Sequence, residues 1–220
     1  MNRNQNHSKV WRKERKPRLV LSTKIYSNSE KISFTQLKIK IMKKNTLVFG
    51  AIAGVIVSTI MGVSMALMGC DSEKSAGNGG MIIGFASMIV AFSFVFVGIK
   101  NYRDKQNGGI VTFGKGFLLG FLISFVASTI YVITWAVEYH FFLPDFMDKY
   151  AAIQIKQLQE SGISDAAYDE ARKSIESASY NYKNNPFFFA LYTYMEILPV
   201  GILISLISAL ILRRKAQISV

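Results

Sequence analysis

Four long apolar runs, each closed by polar or charged positions, organise the chain: residues 46–68, 81–99, 117–137 and 187–212. They hold 23, 19, 21 and 26 residues, and Glu196 is the one charged side chain among them. The apolar residues are gathered into blocks instead of recurring at the spacing of an amphipathic helix or strand. A hydrocarbon core about 30 Å thick takes roughly 20 apolar residues of helix to cross. In lipid, only a helix or a closed barrel satisfies its own backbone hydrogen bonds. The pattern therefore predicts an all-α, polytopic membrane protein with four transmembrane helices.

The Lys and Arg residues near the run ends give an orientation. The 69–80 connection carries one, the 100–116 connection four, the 138–186 segment five over 49 residues, and Arg213-Arg214-Lys215 closes the last run. With Lys43 and Lys44 before the first run, positive flanks alternate at each crossing. The expectation is a bacterial inner membrane protein with both termini and the 100–116 loop in the cytoplasm. Asn107-Gly108-Gly109 marks a tight turn in that loop.

Residues 138–186 are the one substantial soluble stretch and are expected on the extracytoplasmic side. Pro144 stops what precedes it, and a helix is expected from Asp145 to Glu160 with Met147, Ala151, Ile155 and Leu158 on one stripe. Gly162 breaks it. Ser164 is placed as N-cap of a second helix, with Asp165 and Asp169 well placed against its dipole. The second stripe is Tyr168, Ala171, Ile175, Ala178 and Tyr182. Two amphipathic helices in sequence predict a helical hairpin between spans three and four. It would pack its stripes together or lie on headgroups; the functional alternative is a docking surface for an extracytoplasmic partner.

Composition changes this picture little. The net charge of +12 is concentrated in residues 1–41, which hold eleven Lys or Arg against two Glu. That basic leader has no sustained apolar period and is expected to be disordered. Met42-Lys43-Lys44-Asn45 before an apolar run is a common bacterial beginning, so the favoured reading puts the start at Met42 and leaves 1–41 as an over-called frame. The alternative is a polybasic arm on anionic lipid, at about 1 kcal/mol per cation. No aromatic platform accompanies the charge, which argues against nucleic acid. Cys70 alone makes no intrachain disulfide. Leu67-Met68-Gly69-Cys70 resembles a lipoprotein cleavage box, but Met68 and the length of the preceding run disfavour lipidation.

Runs one and three share a spacing: Gly50, Gly54 and Ser58 in one, Gly116, Gly120 and Ser124 in the other. Small residues four apart lie on one helix face and let backbones approach closely. Taken together, the Lys-Lys start, the Gly-rich first span, Asn107-Gly108-Gly109 with Thr112-Phe113-Gly114, the helical insert and the final run from Pro199 resemble a known family. It is domain-of-unknown-function family forty-one-ninety-nine, small four-span bacterial membrane proteins. The resemblance covers residues 42–215; it implies an inner-membrane location, no assigned activity and no catalytic residue to carry over.

An ionisable residue inside a membrane is a functional-site hypothesis by default, which singles out Glu196. It lies 16 residues from Leu212, about 24 Å along a helix, hence near the outer rim of the core. Pro199 donates no backbone hydrogen bond, leaves the Met195 carbonyl free and is placed to kink the helix. Glu138, His140 and Glu196 near that face resemble a loose metal or proton site, but nothing in their spacing fixes them on one helix face, which argues against a metal. Trp135, Tyr139, Tyr192 and Tyr194 read as an interfacial aromatic belt. No nucleophile triad, phosphate loop or paired buried carboxylates occur, so no enzyme, cofactor or metal is expected. The first functional expectation is a non-catalytic structural or accessory subunit that binds membrane proteins, or itself, through small-residue faces. The second is a small oligomeric transporter or channel subunit using Glu196.

Overall fold

Helices that satisfy their own backbones in lipid need no further partners to exist, so the question left to the fold is how they pack. The computed structural model of the protein describes Lys40 and residues 42–66 and 78–214. The leader, the region around Cys70 and the tail from Lys215 lie outside the described residues, as do the expectations that fall on them. The chain divides at Lys43 and Lys44 into two units, and the fold below is that of residues 44–214.

Among the described residues six α-helices follow in order: α1 (Met42–Ala66), α2 (Asn78–Asn101), α3 (Phe113–Phe141), α4 (Phe146–Glu160), α5 (Asp165–Asn184) and α6 (Pro186–Leu212). Four helical segments, in α1, α2, α3 and α6, are long and apolar enough to cross a membrane. The protein is a multi-pass membrane protein. Among the described residues there is no strand, only an isolated bridge between Val111 and Arg214.

Each span is longer than its apolar run. The helix containing α2 continues through a π-helical turn, Tyr102–Gln106, so the second span reaches Gln106 rather than Ile99. The reason is polar anchoring that hydropathy does not count. Asn45 Nδ2 donates to the Gly98 carbonyl at 2.9 Å, and Asn101 Nδ2 donates to Asn45 Oδ1 at 2.8 Å. Arg103, buried despite its charge, donates to the Leu212 carbonyl at 3.3 Å and is paired with Asp104 at 2.6 Å. That contact satisfies an α6 carbonyl left open at its C-terminus. The predicted turn is present, with Gly108 and Gly109 at φ of 65° and 79°.

α3 is the hub. Its glycines and serines, and those facing it, set the interhelical contacts. A methyl placed on Gly50 would lie 2.7 Å from Val126 Cβ, and one on Gly54 2.8 Å from Ile130 Cβ, so α1 lies parallel to α3. On another side, a methyl on Gly116 would meet Ala209 and one on Gly120 would meet Ser205, while one on Gly201 would meet Ser124, so α6 runs antiparallel. α2 packs on both α3 and α6 through Ile99 and Phe92. The small-residue faces are thus occupied within the chain's own bundle. They are not available as the partner-binding faces expected from the sequence.

α4 and α5 pack together across Gly162, which takes φ of 67°. Met147, Ala151 and Tyr182 are buried, and the remaining stripe residues are half-buried. Asp145 and Ser164 occupy the N-cap positions but make no side-chain cap bond. The side-chain cap is on α6, where Asn185 Oδ1 accepts from the Phe187 and Phe188 amides at 3.0 and 3.2 Å.

Gly54→Ala tests the packing. The new methyl would sit 3.2 Å from Ala127 Cα, a backbone atom with little room to give. The overpacking penalty of about 1–3 kcal/mol exceeds the gain of about 1 kcal/mol in helix propensity. Gly84→Ala meets nothing within 4 Å and takes the propensity gain alone. Thermal unfolding in detergent is expected to show a lowered midpoint for the first and an unchanged or raised one for the second.

Candidate functional site at the insert end of the bundle

The end of the bundle that carries α4 and α5 concentrates the protein's unusual side chains. Trp135, Tyr139, Met147, Tyr182 and Phe189 form a buried cluster from α3, α4, α5 and α6. Met61 and Met65 of α1 pack against it. The Trp135 ring meets Phe146 edge-on at 5.3 Å, and Tyr182 lies 4.7 Å from Phe189 and 5.6 Å from Tyr139. Such aromatic pairs contribute about 0.5–1.5 kcal/mol each beyond the area they bury.

A hydrogen-bonded chain runs through the cluster and has one consistent direction. Trp135 Nε1 donates to Tyr182 Oη at 2.7 Å. Thr193 Oγ1 donates to the Phe189 carbonyl at 2.9 Å. The hydroxyls of Tyr182 and Thr193 are 3.4 Å apart, and with Thr193's proton committed, Tyr182 is the donor between them. Three helices are tied by direct side-chain hydrogen bonds. Burial pushes the Tyr182 phenol up from its ordinary value; the Thr193 and Trp135 hydrogen bonds oppose this and the Glu196 charge adds to it. Tyr182 therefore remains a neutral donor through the physiological range. At the rim, Lys183 Nζ pairs with Asp148 at 2.6 Å and joins α5 to α4.

Two of the four residues read as an aromatic belt are part of this core instead. Trp135 and Tyr139 are buried, because α4, α5 and α6 cover the face that a bare span would present to headgroups. Tyr192 is exposed, as a belt residue should be. Tyr194 turns back onto α3, stacking on Phe125 and donating to Thr129 Oγ1 at 2.8 Å.

Glu196 is exposed on α6 and borders the buried residues Thr193 and Ile197. Burial raises the phenols of Tyr182 in α5 and Tyr150 in α4, and the Glu196 charge adds to both shifts. Pro199 stands within α6, and the helix continues past it to Leu212. Glu138 turns toward α1: its Oε1 would lie 3.1 Å from a methyl on Gly62, and its Oε2 is buried without a hydrogen-bond partner. Tyr131 is buried. His140 is exposed, with Nδ1 2.9 Å from the Ala136 carbonyl. No three acidic, His or Cys residues converge on a metal-sized site among the described residues. Tyr182 was read as a stripe residue, while Tyr131 and Thr193 carried no signal beyond being polar within apolar runs.

A four-span bundle with a docked helical insert and two carboxylates at the insert end defines a class of small multi-pass membrane protein. Within that class, the chain belongs to the family described as Protein of unknown function (DUF4199), which matches residues 48–214. No curated protein and no solved structure matches the chain.

Tyr182→Phe keeps the ring and removes the acceptor for Trp135. Leaving that buried N–H unsatisfied is expected to destabilise the dock by about 1–3 kcal/mol. The expected result is faster proteolysis within α4 and α5 in reconstituted protein while the spans remain protected.

Proposed function

We propose that the protein is a non-catalytic structural or accessory subunit of the bacterial inner membrane, with both termini in the cytoplasm and the α4–α5 insert outside. The observation that supports it best is the dock, in which Trp135, Tyr182 and Thr193 fix the insert to the bundle. A segment held that firmly suits a platform for a partner more than a mobile arm. The half of the insert beyond the dock is largely exposed and carries mixed charge, including Glu160, Asp165, Asp169, Arg172 and Lys173. Partner contacts belong there, since the glycine faces are closed inside the bundle. The alternation of Lys and Arg flanks supports the orientation.

The second reading, a small oligomeric transporter or channel subunit, draws on the exposed Glu196 and the unpartnered Glu138 oxygen. Reconstitution and solute- or ion-flux measurement separates it from the first.

Two outcomes are expected in cells. A cysteine at Ser164 is labelled by an impermeant reagent from outside, and one at Asn107 is not. A photo-crosslinking residue at Asp169 yields a discrete protein adduct, whereas one at the lipid-facing Leu203 does not. Labelling of position 107 overturns the orientation, and loss of discrimination between 169 and 203 overturns the platform.

A further inference from the structure

The two ends of the bundle carry opposite charge. Residues 138–196 hold nine Asp or Glu against five Lys or Arg. At the loop end Lys44, Lys100, Lys105, Lys115, Arg213 and Arg214 are all exposed. Asp104 is the one acidic side chain there among the described residues, and buried Arg103 holds both of its oxygens, at 2.6 and 3.1 Å. The six exposed cations therefore face outward with no second carboxylate to neutralise them.

Hydrogen bonds gather these cations into one layer. Asn45, beside Lys44, is bonded to the Gly98 carbonyl, to Asn101 and to Gln106, which ties the start of α1 to the end of α2 and its π-helical turn. Arg103 of that turn donates to the Leu212 carbonyl at 3.3 Å, so Arg213 and Arg214 leave α6 beside it. The Arg214 amide then donates to the Val111 carbonyl at 2.9 Å, which fixes the end of α6 against the approach to α3. Five residues on along each strand of that contact, a methyl on Gly116 would lie 3.4 Å from Ala209 Cβ. Lys115 stands next to this point on α3, so Lys115 and the Arg213–Arg214 pair flank the seam where α3 begins and α6 ends.

Depth in the membrane decides which anion they meet. From Lys115 to Glu138, α3 runs about 35 Å without a charged side chain, against a hydrocarbon core of about 30 Å. Lys115 therefore lies among headgroups when Glu138 lies at the opposite face. Just inside these cations the helix surfaces are apolar and exposed: Leu118 follows Lys115, and Leu210 and Ile211 precede Arg213. A ligand that matches both features has an anionic head and hydrocarbon tails. A soluble phosphate compound would use the cations alone. Arginine bonds two phosphate oxygens at once, and a zwitterionic headgroup brings its own ammonium to offset the attraction.

We propose that the α3–α6 seam at the loop end is a binding site for an anionic phospholipid of the phosphatidylglycerol kind. The phosphodiester is held by Arg213, Arg214 and Lys115, and the acyl chains lie along Leu118, Leu210 and Ile211. Basic surfaces between transmembrane helices recognise such headgroups. The site is the same whichever way the chain threads the membrane.

Native mass spectrometry of the full-length protein in a neutral maltoside detergent tests this, because it resolves each bound lipid. The probes are phosphatidylglycerol and phosphatidylcholine with the same acyl chains. Each Lys or Arg near an anionic surface strengthens binding about fivefold, so phosphatidylglycerol is expected to bind about tenfold or more tightly than phosphatidylcholine. Arg213→Gln combined with Arg214→Gln is expected to weaken phosphatidylglycerol binding about twenty-five-fold, and Lys115→Gln alone about fivefold. Arg214 meets Val111 through its backbone, so the double variant keeps that tie and its melting temperature in phosphatidylcholine. Lys149→Gln combined with Lys156→Gln makes the same charge change on the insert and leaves binding unchanged. Phosphatidylglycerol carrying a diazirine in its acyl chain is expected to label the first turns of α3 and the last turns of α6. Equal binding of the two lipids, an equal loss from the insert variant, full binding by Lys115→Gln, or labelling confined to residues 1–41 would each overturn the proposal. Displacement of the lipid by millimolar inorganic phosphate would overturn it in favour of a soluble phosphate ligand.

Discussion

Lipid tails are as apolar as leucine, so a transmembrane helix gains nothing hydrophobic by leaving them for another helix. What holds this bundle together is close approach, and close approach depends on the absence of side chains. α3 is gripped from one side by Gly50 and Gly54 and from another through Gly116, Gly120 and Gly201. Dispersion contacts at these distances, with the Ser124–Gly201 and Ser124–Ser205 hydrogen bonds, supply what the hydrophobic effect cannot. The remaining features hang on that seam. It sets the register that brings Glu138, Tyr131 and Glu196 into the same half of the bundle.

The two ends are finished in different ways. At the loop end, an asparagine–arginine network ties α1, α2 and α6: Asn45 to Gly98 and Asn101, and Arg103 to Leu212. At the insert end, aromatic rings do the same through packing, and one directional chain of donors threads them. Asn185 makes the turn from α5 into α6 possible within a single residue, by capping the amides that begin the last span. The consequence is a helical insert whose inner portion is part of the bundle's core and whose far portion is free.

Much of this was legible in the sequence. Four apolar blocks give four spans because the bilayer imposes one length scale on every crossing. Gly162 and the two stripes give the α4–α5 pair because amphipathic periodicity is local. The i, i+4 spacing of Gly50, Gly54 and Ser58 shows a packing face, but spacing alone says nothing of which helix it meets. That is why the face was read as available to partners when α3 already occupies it. Helix ends were misjudged for a related reason, since hydropathy counts hydrocarbon-compatible residues and Asn101 to Gln106 are held by specific polar bonds. Trp135 and Tyr139 resembled a belt because their cover comes from other elements, Met147 of α4, Tyr182 of α5 and Phe189 of α6. Glu138 was read only as one of a loose grouping with His140 and Glu196, because it falls one residue past the apolar run, at a boundary that the helix itself ignores.

The central claim is that the small-residue faces close the protein upon itself. Gly116 and Ala209 test it directly, since a methyl on Gly116 would lie 3.4 Å from Ala209 Cβ. That separation is near the range of about 3.5–4.5 Å between the Cβ atoms of a disulfide. Cysteines at both positions, in a chain with Cys70 replaced by serine, should oxidise in native membranes to an intramolecular bridge that leaves the protein monomeric on a non-reducing gel. Cleavage between α3 and α6 should then release no fragment until the bridge is reduced. A disulfide-linked dimer in its place, or no bridge under oxidant, would contradict the account and return the glycine faces to an external partner.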